Sequence, residues 1–101
     1  MATGGTREEV DAKIRAWELE LERLRLALAA APDEVHAAHH QSFIELYRQK
    51  EIVKSRWEVV RGAYQPSPDA GRRFAEALAA MEKTWAAAGS MRSEILAGNP
   101  A

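Results

Sequence analysis

The sequence predicts an all-α fold: three antiparallel helices, up-down-up, with coiled-coil-like packing, a long central helix and assembly into an oligomer. Three observations lead there. Apolar residues recur in ladders of alternating four- and three-residue steps, each ladder carries one tryptophan, and two proline-bearing turns separate them. The ladders are Val10, Ile14, Trp17, Leu21, Leu24, Leu28, Ala31; His39, Phe43, Leu46, Lys50, Val53, Trp57, Val60, Tyr64; and Phe74, Leu78, Met81, Trp85, Ala88, Arg92, Ile95. A mean step of about 3.5 keeps these side chains on one side of a helix and suits helices packed nearly antiparallel.

Taken in order, residues 1–6 read as a disordered tail. Thr6 and Glu9 make a capping-box pattern, which starts a first helix running to about residue 30. Pro32 suits the first turn of a new helix, and Asp33 and Glu34 suit its positive end. The connection is short, so the second helix, about 33–64, folds back beside the first. Ser67 and Pro68 form an N-cap and a first helical position for a third helix over about 68–97, with Gly89-Ser90 a place where it can fray or break. Gly98-Asn99-Pro100 is a stop signal, leaving 98–101 as a second tail around one domain over 7–97.

Folding the chain at these turns places Trp17, Leu46 and Trp85 in a middle layer and Trp57 against Phe74, with Val10 near, in an outer one. Trp17, Leu46, Trp57, Phe74, Leu78, Met81 and Trp85 should then be mostly buried. Charges such as Glu9/Lys13, Asp11/Arg15 and Lys54/Glu58 read as i,i+4 pairs on outward faces, worth only tenths of a kcal/mol each.

Composition narrows the function. The 14 basic and 15 acidic residues give a net charge of -1, and each helix is balanced in itself. That disfavours nucleic acid, whose binders concentrate Lys and Arg on one element. The absence of cysteine removes disulfides, thiolate metal sites and thiol catalysis. No apolar run approaches the ~20 residues that span a bilayer, and no secretory signal is visible, so a cytoplasmic protein is expected. No motif of a known family is matched.

Three features can carry function. His36 and His40, four apart, project from one helix face and could share a metal ion, with Glu94 brought near to add an oxygen. Lys50 and Arg92 occupy ladder positions where apolar residues belong, so each is paired, snorkelling or reserved for an anion. Glu82 is the expected partner of Lys50, and Arg92 falls near the level of His39 and His40. A small helical enzyme or anion-binding module would use such cations. Leu19 and Leu26, however, point away from the first ladder, and Ile52 and Val59 lie well off the second. These four are the expected interface of a homo-oligomer, a dimer in the first instance. The reading they favour is a non-catalytic scaffold or adaptor acting through self-association and a protein partner, with no cofactor. A metal-binding bundle is the first alternative, the small enzyme or anion-binding module the second.

Overall fold

The computed structural model describes residues 7–97, and every regular element among them is helical: α1 Arg7–Ala30, α2 Asp33–Gly62, α3 Pro68–Ala87 and α4 Gly89–Ala97. The tails, the Thr6 cap and the Gly98-Asn99-Pro100 stop lie outside the described residues. Four helices replace the expected three because the third ladder breaks at Ala88, as the Gly89-Ser90 pair suggests. Ala88 N–H donates to Thr84 and Trp85 carbonyls, closing α3, and Arg92 N–H donates to Ala88 O at 2.9 Å, opening α4.

Gly89 is not held there by crowding. A Cβ built on it would meet only Arg92 Nη2, at 3.9 Å. Gly89→Ala should therefore stabilise by about 0.5–1 kcal/mol, through helix propensity and a stiffer unfolded chain. A lower denaturation midpoint would show that the break needs glycine.

The caps follow their chemistry. Ser67 Oγ accepts from Ala70 N–H at 3.0 Å, with Pro68 at the first helical position. Pro32 sits one residue earlier than expected, as the N-cap of α2, where its carbonyl accepts from His36 N–H at 3.0 Å. At its other end α2 stops at Gly62, not Tyr64. Ala63 is already extended, Gln65 is disfavoured from helix by Pro66, and Tyr64 stands 98% exposed.

α1 and α2 run antiparallel. Asp11 meets Trp57 and Arg61, whereas Glu18 meets Lys54 and Lys50, so partner numbers fall on α2 as they rise on α1. α3 packs on α2, and α4 turns to pack chiefly on α1. The molecule measures 49 × 22 × 21 Å, and its 15.4 Å radius of gyration exceeds the ~13 Å of a compact chain this long.

The interior forms two clusters. Val10, Ile14, Trp17, Val53, Trp57 and Met81 make one; Leu21, Leu24, Ala27, Leu28, Phe43, Leu46 and Ile95 make the other. Trp85 packs against both, with its ring 6.3 Å from that of Trp17, and Trp57 lies 4.9 Å from Phe74. The expected outer layer of Trp57, Phe74 and Val10 is present, but the middle one is split. Trp17 and Leu46 fall in different clusters bridged by Trp85, because α1 meets α2 in a shifted register that sets Glu18 beside Lys50 and Lys54. Phe74, Leu78 and Trp85 are only half-buried, because in so slender a molecule α3 is covered mainly from the α2 side.

Candidate functional site

The two ladder cations stand where the spacing puts them, but with other partners. Lys50 is 4% exposed. Its side chain is almost wholly buried, and its ammonium pairs with Glu51, reaches Glu18 of α1 at 3.7 Å and lies 4.3 Å from the Tyr47 ring. Glu82, the expected partner, pairs instead with Lys13 of α1. Glu82 thus bridges α3 to α1, while Lys50 pairs with Glu51 of its own helix and Glu18 of α1. Arg92 folds back over Trp85, its guanidinium carbon 4.3 Å from the ring and Nη2 donating to Trp85 O at 3.0 Å. It gives the Trp85 carbonyl, which also accepts from Ala88 N–H at 3.2 Å, a second donor where α3 ends, a structural task for which a planar cation at a helix C-terminus is well suited. Lys50 thus faces α1 while Arg92 caps α3, so the two cations do not converge.

The histidines divide differently from expectation. His36 and His40 stack, ring centroids 4.9 Å apart and nearly parallel, on the exposed first turns of α2. Glu94 instead meets His39, Oε2 to Nε2 at 2.9 Å, and so ties α4 to α2. Among the described residues, no three metal-ligating side chains gather around one point.

A network missed by sequence reasoning runs along the α1–α2 groove. Asp11 accepts from Trp57 Nε1 at 2.7 Å and lies 3.4 Å from Arg61, which satisfies an otherwise buried indole N–H. Glu18 takes a hydrogen bond from Lys54 at 2.9 Å. Local i,i+4 spacing pointed Asp11 at Arg15 and Lys54 at Glu58; the useful signal was their position beside the ladder, where long side chains reach the next helix.

The Lys54 hydrogen bond holds the Glu18 carboxyl below the ordinary carboxylate range, and Glu18 in turn raises Lys54. The folded chain then binds a proton at Glu18 less readily than the unfolded chain. This contribution is complete above the ordinary carboxylate pKa of about 4.3 and is lost as pH falls through the lower folded value. The stability gap between the wild type and Glu18→Gln should therefore shrink as pH falls below the ordinary carboxylate value of about 4.3. A gap that widens on acidification would contradict this account.

The four residues expected at an interface are all open to solvent in the single chain: Leu19 at 64%, Leu26 at 55%, Ile52 at 42% and Val59 at 60%. Leu19 and Leu26 stand seven residues apart on the back of α1, about 10 Å along its axis. Ile52 and Val59 repeat the spacing on α2. No described helix is long and apolar enough to cross a membrane. The chain matches no protein-family model, no curated protein and no solved structure.

Proposed function

We propose that this chain is a non-catalytic cytoplasmic scaffold or adaptor that self-associates and presents a helical surface to a protein partner. In this reading α1, α2 and the α3–α4 arm act as an up-down-up bundle with coiled-coil-like seams. The observation that carries it is the pair Leu19 and Leu26, exposed on the side of α1 opposite Trp17 and Leu24. Single exposed leucines are ordinary. Two on one helix face, repeated by Ile52 and Val59 on the next helix, give the protein apolar surface on both sides of its helices.

Covering a leucine stabilises an assembly by roughly 1.5–3 kcal/mol relative to leaving it in water. Leu26→Glu should therefore shift the sedimenting species toward monomer while the helical circular dichroism signal is mostly kept. Draping of nearby charged stems over the leucines is the competing explanation. A wild type that stays monomeric at high micromolar concentration, or assembly indifferent to Leu26→Glu, would sink this reading.

A further inference from the structure

We infer that the back of α1 is a self-complementary seam that takes a second copy of this chain, antiparallel, with the two-fold axis beside Leu19. This rests on the self-association reading and gives it a partner and a register. The back of α1 carries more than two leucines. Ala12, Ala16, Leu19, Leu26 and Ala30 are all exposed and step by four, three, seven and four. Only Arg23, in the middle of the seven-residue step, interrupts this second ladder, which repeats the alternation of the buried one. Alanines at three of five positions let two helix backbones approach closely.

Charge selects the orientation. In a parallel pairing, equivalent seam residues abut, so Arg23 would face Arg23 of the partner subunit. An antiparallel pairing centred midway between the leucines sets Glu22 against Glu22 of the partner subunit, with the Arg23 clash retained. A two-fold beside Leu19, close to the midpoint of Arg7–Ala30, avoids both and overlaps α1 along its whole length. Leu19 then meets Leu19 of the partner subunit, Leu26 meets Ala12 of the partner subunit, and the Arg23 stem lies over Ala16 of the partner subunit. On one flank Arg15 reaches Glu22 of the partner subunit, and symmetry makes that contact twice.

Within one chain Glu22 is paired with Arg25, and Arg23 with Glu20 at 2.8 Å. These pairs are solvent-exposed and local, so sharing Glu22 between Arg25 and a second arginine costs little. A single helix-on-helix seam covers less than the ~800 Å² per partner of a standard interface, so the dimer should be reversible and concentration-dependent.

The test is sedimentation of the full chain with two charge variants. Glu22→Arg alone and Arg15→Glu alone each place like charges opposite one another across the seam, and each should weaken self-association at least tenfold. Mixed one to one, the two variants restore opposite charges at both contacts, and association should return to within about threefold of wild type. Both positions are exposed, so helical circular dichroism should stay at the wild-type level. The cysteine-free background adds a geometric check: Ala12→Cys mixed with Leu26→Cys should form a disulfide between the two variants. A wild type that dimerises, loses its dimer on Leu26→Glu, yet ignores the charge variants would overturn the register and leave the self-association reading standing. A wild type that never dimerises would overturn both.

Discussion

Trp17→Ala should cost about 3–5 kcal/mol, the range for truncating a buried tryptophan. The side chain is buried at the centre of α1, packed among Ile14, Val53, Trp57 and Met81 and tilted against Trp85. Its neighbours come from three helices, so collapse around the hole would have to move all of them, and relaxation recovers little of the loss. Domains of this size are stable by only about 5–15 kcal/mol, so one substitution removes a large fraction of the total. Thermal melting should fall on the order of 20 °C, or lose cooperativity altogether. Leu19→Ala on the same helix is the contrast. It removes an exposed side chain and should leave the monomer's stability within about 0.5 kcal/mol. A midpoint drop below about 5 °C for Trp17→Ala would show that the surrounding helices close around the hole and recover most of the loss.

Much of this architecture follows from side-chain period alone, and the exceptions have separable causes. The α1 ladder from Val10 to Leu28 is buried at every step because α1 is faced by α2 along its length and by α4 near its end. The Ser67-Pro68 start of α3 could be read because a cap is a local hydrogen bond between neighbours in sequence. Pairing of charges could not. Lys13, Lys54 and Asp11 each have plausible partners one helical turn away, but the folded chain offers better ones across a groove, and choosing between them needs the packing angle of the helices. The break at Ala88 was half visible. Glycine marked where the helix could yield, while the docking of Ile95 against α1 and α2 residues decides that it does yield. The two leucines on the back of α1 were visible as a pattern, and both are exposed, whereas Ala12, Ala16 and Ala30 join them only once the structure shows which side of α1 is left open.

Ile95→Ala tests whether α4 is a separable unit. Ile95 is fully buried among Leu21, Leu24, Leu28, Phe43 and Leu46, and it is the one fully buried residue α4 contributes among those described. A nine-residue helix has almost no helicity of its own in water, so α4 owes its form to this docking. Truncation of such an isoleucine costs about 2–5 kcal/mol when the whole domain must bear it. Here the remaining anchors of α4 are the half-buried Met91 and Leu96, the His39–Glu94 pair and the Arg92 contacts with Trp85, none of them fully buried. The cheaper response is for residues 89–97 to undock while the cluster of Val10, Ile14, Trp17, Val53, Trp57 and Met81 holds α1, α2 and α3 together. Hydrogen exchange in Ile95→Ala should therefore accelerate by at least tenfold across 89–97, with protection near Val53 and Met81 little changed. Tryptophan fluorescence should shift as the guanidinium leaves the Trp85 ring. A uniform rise in exchange over all four helices would mean that the chain breathes as one body, with the break at Ala88 a bend in a single cooperative unit.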